Sequence, residues 1–285
     1  MIVNDGYRGK VGAAAPKFTY TGQYNQRDDG VVELLTSGTI TFLSPAVIDI
    51  FCVGGGGRGG NPSTVVTAAF YGASGGAGGY TATARKQTVT GSYNITVGNG
   101  STQNAVAGGT TSFGTLLSAA GGNSGHVGPV NSSAGTDVLT GKDGGSGSGG
   151  GVSSYSNYGT GGSDGGNGEQ GYPNRATGGS GQGTTTREFG EATGKLYAGG
   201  GGGGRAMASQ TPIVSMGGAG GGGTGGFIDT SDSASGALRQ APTAGVANTG
   251  GGGGGGAGYR SSSSNSLYMP GANGGSGICC IRAAK

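Results

Sequence analysis

The sequence predicts an all-β protein: a small β-sandwich carrying a bundle of polyglycine-II helices linked by loops, with no substantial α-helix. Three observations lead there. Gly accounts for 76 of the 285 residues, against roughly 7% in ordinary proteins. These glycines gather into runs of similar length. Between the runs lie short segments of β-branched, aromatic and alternating residues, the composition of strands.

The strand-like segments come in order. Thr39-Ile40-Thr41-Phe42 alternates polar and apolar, as a half-buried strand does. Val47 to Val53 is richer in apolar residues and reads as buried on both faces. Tyr80 to Ala84 and Tyr93 to Val97 alternate again, and Thr110–Phe113 with Leu116–Ala120 reads as a hairpin about Gly114. Gly277 to Ile281 closes the series. No segment combines a helical period with caps.

Ten glycine runs interleave with these segments: 54–60, 72–79, 121–128, 144–151, 159–171, 178–183, 199–204, 217–226, 250–258 and 271–277. One isolated run would be a flexible linker. Ten of them fit polyglycine II better. In this extended threefold helix, rising about 3.1 Å per residue, the absence of Cβ lets neighbouring backbones approach until N–H meets C=O. Ordering Gly costs more entropy than ordering any other residue, so only a cooperative bundle can hold.

If each run crosses the bundle once, the loops alternate between two ends. Every β-like segment then lands at one end, with 152–158 and 227–249 as loops on that same side. Five loops fall at the opposite, far end: 61–71, 129–143, 172–177, 205–216 and 259–270. They carry bulky groups, namely Val65, Val66, Phe70, Tyr71, Tyr172, Arg175, Arg205, Met207, Ile213, Met216, Tyr259, Arg260, Tyr268 and Met269. Hydrophobic and aromatic groups gathered on a loop face suggest a partner surface.

The sequence carries little catalytic or cofactor signal. The one histidine, His126, sits inside a glycine run, where a solvent-facing or satisfied imidazole is the ordinary outcome. In so glycine-rich a chain, matches to G-x-G-x-x-G carry no information without a βαβ unit. Lys142 and Lys195 are followed by Asp143 and Leu196, so no phosphate loop is formed. No metal-ligand spacing is present, and no cofactor is expected. A net charge of +3 without a dense Lys/Arg cluster argues against nucleic acid. No stretch is long and apolar enough for membrane insertion, and residues 1–8 show no secretory pattern. Synthesis in a reducing cytoplasm followed by lysis fits this, as does export by another route. Cys52, Cys279 and Cys280 form no disulfide framework. Adjacent Cys279 and Cys280 point to opposite strand faces, so one of them can pack beside Cys52, as a small hydrophobe or as a disulfide partner.

Leu35-Thr36-Ser37-Gly38-Thr39-Ile40-Thr41-Phe42, followed by Asp49 to Gly57, resembles the opening of glycine-rich domains found in phage tail proteins of gut bacteria. The resemblance continues through 75–80, 109–114, 188–191, 197–201 and 274–282. The architecture is also similar to the polyglycine-II tip adhesins of T-even-type long tail fibres and to the glycine-rich region of certain animal receptor kinases. In the fibre adhesins, far-end loops recognise the host.

The resemblance implies a non-enzymatic virion protein, assembled in the host cytoplasm and exposed on the particle. As a receptor-binding adhesin it would meet a bacterial surface glycan or outer-surface protein through Phe70, Tyr71, Tyr172, Arg175, Arg205, Met207, Tyr259, Arg260, Tyr268 and Met269. The alternative is an architectural virion protein: a head fibre, decoration or tail-tip spacer. The chain divides at 33/34. Residues 1–33 form an N-terminal attachment arm that docks on other virion proteins through Tyr7, Phe18, Tyr20 and Tyr24, and residues 34–285 form the glycine-rich domain. The oligomeric state is left open by the sequence.

Overall fold

The computed structural model describes residues 16–62, 69–125, 140–153, 159–171, 177–207, 214–229, 238–262 and 265–285. The strands are β1 Phe18–Tyr20, β2 Tyr24–Gln26, β3 Val32–Leu34, β4 Gly38–Val53, β5 Ala69–Gly72, β6 Thr81–Thr96, β7 Thr111–Phe113, β8 Leu117–Ala119, β9 Val152–Ser153, β10 Arg205–Met207, β11 Phe227–Asp229, β12 Leu238–Gln240, β13 Ala257–Ser262, β14 Asn265–Met269 and β15 Ile278–Ala283. Among the described residues the one helical element is a 3-10 turn at Glu188–Gly190. The chain is all-β, as the sequence predicts.

The sandwich is one eight-stranded sheet folded over its own core, in the order β2-β3-β15-β4-β6-β7-β8, with β1 beside β4. The two predicted segments within 39–53 are a single strand, β4, and those within 80–97 are another, β6. Together they pair antiparallel along their length. Two irregularities bend this pair. Between Phe42 and Ala46 three residues of β4, Pro45 among them, oppose a single residue of β6. Between Ile48 and Ile50, Asp49 opposes Arg85 and Lys86, and its carboxylate accepts the Lys86 N–H at 3.0 Å. Bulges of this kind bend strands and turn sheet corners. The first half of β4 pairs with β1 and its second half with β15. The inner core between the halves takes Ile40, Phe42, Ile48, Ile50 and Cys52 from β4, Val89 and Ile95 from β6, and Cys279 and Ile281 from β15.

The division at 33/34 does not separate two bodies. β1, β2 and β3 belong to the sandwich sheet. Phe18 and Tyr20, expected to dock on a partner, are 1% and 6% exposed in the inner core. Tyr24 packs against that core, its ring 5.5 Å from Phe18. Burial pushes the Tyr20 hydroxyl well above the usual tyrosine range, and this hydroxyl donates to the Thr36 carbonyl. These aromatics are committed to folding because their strands have no other apolar groups to bury. Tyr7 lies outside the described residues.

The opposite face of β4 and β15 is covered by residues 184–198. Phe51, Val53, Ile278 and Cys280 pack against Phe189, Tyr197 and Ala198 in a second core. Ion pairs latch this cover down. Arg282 reaches Glu191 through Nη2 at 2.6 Å and Nη1 at 2.9 Å, and Asp49 at 3.1 Å. Its guanidinium lies 4.0 Å from the Phe189 ring centroid. Arg27 holds Glu188 by two bonds, at 2.7 and 2.9 Å.

From this base the glycine runs rise as a bonded lattice. The run 73–79 is surrounded by others. Its Ala73, Gly76 and Gly79 N–H groups donate to the carbonyls of Gly256, Gly253 and Gly250 at 2.8–2.9 Å. Gly75 and Gly78 donate to Gly149 and Ser146, and Ala77 donates to Asn123. Its carbonyls accept from Gly57 and Gly60 on one side and from Gly201 and Gly204 on another. Each neighbour is met at every third residue, the signature of a threefold polyglycine-II helix. An added Cβ on Gly76 would stand 2.1 Å from the Gly57 oxygen, and one on Gly252 would stand 1.9 Å from the Gly76 oxygen. The lattice therefore excludes side chains at these positions.

The crossings differ from one per run. Runs 144–151, 159–171 and 217–226 each contain a reversal at the sandwich end, at 144–146, 164–165 and 219–221. At the last two, Asp164, Gly165, Gly220 and Gly221 take positive φ. Thus 146–151 rises instead of returning, and β9 and β11, the described starts of the expected sandwich-side loops 152–158 and 227–249, lie at the far end, while Thr249 stays on the sandwich side, its carbonyl accepting the Ala198 N–H. Segments 98–101 and 107–109 also join the lattice, through Gly277→Gly98, Ser101→Gly56 and Gly55→Gly109 bonds.

Two predictions follow from the lattice and the latch. Gly252→Ala is expected to lose at least about 3 kcal/mol of stability or to fail to fold, because Cβ meets backbone that cannot step aside. Gly30→Asn, at φ +84° with no atom within 4 Å of its Cβ position, is expected to change stability by less than about 1 kcal/mol. Denaturant unfolding distinguishes the two. The second concerns Glu191, whose carboxyl is held down at about 2 from an ordinary 4.5, chiefly by its bonds to Arg282. A depressed folded-state value gives stability that is present above about pH 4.5 and lost as pH falls through about 2. Melting curves of the parent and Glu191→Gln are expected to differ at pH 6 and to converge toward pH 2.

Candidate functional site: the far tip

At the far end the runs open into two small sheets. One has the order β12-β11-β10-β9 and the other β14-β13-β5. The direction of each crossing sets the direction of its strand. β9, β10 and β11 continue rising runs and pair parallel. β12 precedes a descending run and is antiparallel to β11. β13 continues the rising run 250–256, while β5 and β14 lead into descending runs and are antiparallel to it. Very short parallel strands need no crossover helix here, because the glycine runs themselves make the connections.

The sheets share a small apolar core of Ala206, Ile228 and Ala257, with Tyr259, Leu267 and Met269 against it. Arg205, expected on the exposed face, is 2% exposed. Its guanidinium lies 5.8 Å from the ring centroid of Phe227, its register partner on β11. That is a correction: this arginine builds the tip from inside. Its position directly after Gly204 places it where the lattice gives way to the sheet. Tyr259 and Met269 are half-buried against the tip core.

Among the described residues, Tyr268 is the expected recognition residue that the tip leaves exposed, at 42%. Burial of its other side raises its hydroxyl above the ordinary range, and the nearby Arg58 charge pulls in the opposite direction. Arg58, the one non-glycine in the run 54–60, directs its Nη1 to Asn61 at 2.9 Å and also to Asn104. Asn61 in turn accepts the Gly271 N–H at 2.9 Å. This polar shoulder beside Tyr268 went unnoticed in the sequence, although a lone arginine inside a glycine run was a usable signal. Phe70, Tyr71, Met207 and Arg260 lie on β5, β10 and β13, with side chains outside the described set. Tyr172, Arg175, Val65, Val66, Ile213 and His126 lie outside the described residues. Met216 is exposed where the descending run 214–218 begins.

A polar groove of about 520 Å³ also opens on the bundle flank, lined in part by Asn123, Ser124, Lys142, Asp143, Thr177 and Ser180. Its groups largely serve the lattice: Asp143 accepts the Ser180 N–H at 2.6 Å, and Asn123 donates to the Asp143 carbonyl at 3.0 Å. Among the described residues no group of three His, Cys, Asp or Glu side chains is gathered as a metal ion requires, and no helix is long and apolar enough to cross a membrane.

Fold and tip together define the class: a β-sandwich whose glycine lattice carries a separate β tip. A family model described as a glycine-rich domain matches residues 35–284, and the chain belongs to that family. No curated protein matches it.

The tip yields its own prediction. Phe227→Ala is expected to cost about 3–5 kcal/mol, as for other buried rings. Tyr268→Ala is expected to stay within about 0.5 kcal/mol. Denaturant unfolding of the two variants checks the contrast.

Proposed function

We propose that the chain is a non-enzymatic surface protein of a bacteriophage particle, and that its far tip is a receptor-binding face for a bacterial surface glycan or outer-surface protein. The observation that carries this reading is the separation of the molecule into two ends. One end is a closed sandwich, and the other presents short strands and their connections on a lattice that leaves side chains little room. Such a support keeps recognition groups preorganised and lowers the ordering cost of binding. Tyr268 offers an aromatic face beside the Arg58–Asn61–Asn104 shoulder, a combination suited to sugar rings and anionic groups. Tyr172 and Arg175 are assigned to the same face. The sandwich end is the end proposed to meet other virion proteins.

The architectural reading draws on one observation: Arg205, Tyr259 and Met269 are spent on packing the tip.

Labelled protein applied to intact cells of hosts that the parent phage infects separates the two. Saturable binding is expected, weakened at least tenfold in a folded variant carrying Tyr172→Ala, Arg175→Ala and Tyr268→Ala. Absence of binding to every such host overturns the adhesin reading in favour of the architectural one. Binding that the triple variant retains in full removes these residues from the receptor face.

A further inference from the structure

The glycine bundle begins and ends on two paired strands. The first run leaves the sandwich after Val53, the end of β4, and the last run returns to it at Ile278, the start of β15; in between, the chain re-enters the sheet as β6, β7 and β8. In the antiparallel register of these strands Cys279 lies opposite Cys52. Both side chains are fully buried in the inner core, and their Sγ atoms are 3.6 Å apart. Residues directly opposite in an antiparallel pair have Cα atoms about 4.5–5.5 Å apart, within the window a disulfide spans. Cys280 faces the other core, 4.0 Å from the Tyr197 hydroxyl. Successive strand residues face opposite sides, so its sulfur cannot reach Cys52 unless the strand turns over. All three cysteines are free thiols.

We propose that Cys52 and Cys279 are a latent disulfide pair, and that oxidation staples together the two strands on which the bundle begins and ends. With a small disulfide such as oxidised glutathione as the oxidant, the bond forms by two exchanges. The thiolate of one cysteine attacks a glutathione sulfur, forming a mixed disulfide and expelling one glutathione thiolate. The second cysteine, as thiolate, attacks the protein sulfur of that mixed disulfide and expels the other. The protein thiols give up two protons and two electrons, and the oxidant is reduced to two thiols.

Packing decides when this happens. The inner core has no room for a glutathionyl group, and contact with Cys52, then burial, holds the Cys279 thiol above its usual range. Exchange therefore belongs to folding before β15 inserts, or to opening of β15 afterwards. Once formed, the bond joins residues 227 apart in sequence, at the long-loop end where chain constraint is greatest. The inference rests on register and burial, independently of the receptor reading.

The test uses the full chain, reduced and denatured, then refolded in mixed reduced and oxidised glutathione and alkylated. Peptide mass mapping is expected to show Cys52 linked to Cys279, with Cys280 alkylated. Fragmentation between residues 279 and 280 assigns the sulfur even if a variant fails to fold. Cys280→Ala is expected to retain the bond and Cys279→Ala to lose it. The oxidised parent is expected to melt on the order of 10 °C higher than the reduced form. No bond after refolding, a bond to Cys280 in comparable yield, or a bond that leaves the melting temperature unchanged overturns the proposal.

Discussion

A backbone N–H reaching the carbonyl of a neighbouring glycine run, repeated at every third residue, is the interaction on which the molecule depends. In most β proteins the sheet satisfies the backbone and side chains fill the core. In this bundle the backbone serves both purposes. Gly76 donates to Gly253 and accepts from Gly201, and Gly252 donates to Gly199. Each such bond contributes only about 1 kcal/mol net, while glycine is the costliest residue to order. The lattice therefore holds as a whole or not at all.

Glycine is present in the runs for its missing Cβ more than for its backbone freedom. Among the described residues the positive-φ glycines Gly165, Gly220 and Gly221 mark reversals, while Gly76 and Gly252 inside the lattice do not share that conformation. Small side chains enter where the opposite residue makes room. Ala77 is fully buried, and a Cβ on Gly144 would stand 2.7 Å from its methyl group. Ser146 and Ser148 are fully buried as well, each with its hydroxyl accepting a lattice N–H, from Gly165 and Lys142. The sandwich supplies what the lattice lacks, two apolar cores and a set of buried ion pairs, and so fixes where the first and last runs begin and end.

The parts of the fold legible in the sequence were those with a strong local pattern. Alternation located the ends of β4 and β6 but not their middles, because Leu43-Ser44-Pro45 and Arg85-Lys86 break the period where the strands bulge. The runs announced the lattice but hid their own reversals: a turn at Gly220-Gly221 leaves no mark in a stretch that is already glycine. The far face was legible in outline, through the position of Tyr268. Arg205 was misplaced because burial of a charged residue depends on Phe227 across the sheet, which no local pattern encodes. Phe18 and Tyr20 were misplaced because a short strand with one neighbour looks like an arm until its partner in β4 is known.

Hydrogen exchange at individual glycine amides bears most directly on the central claim. The amides of Gly76, Gly79, Gly252 and Gly255 are each bonded to a neighbouring run. They are predicted to exchange together, at a rate set by global unfolding and comparable to that of Ile50 and Ile281 in the sandwich. Exchange of these amides at the free-chain rate, with the sandwich amides still protected, would contradict the account and reduce the runs to linkers.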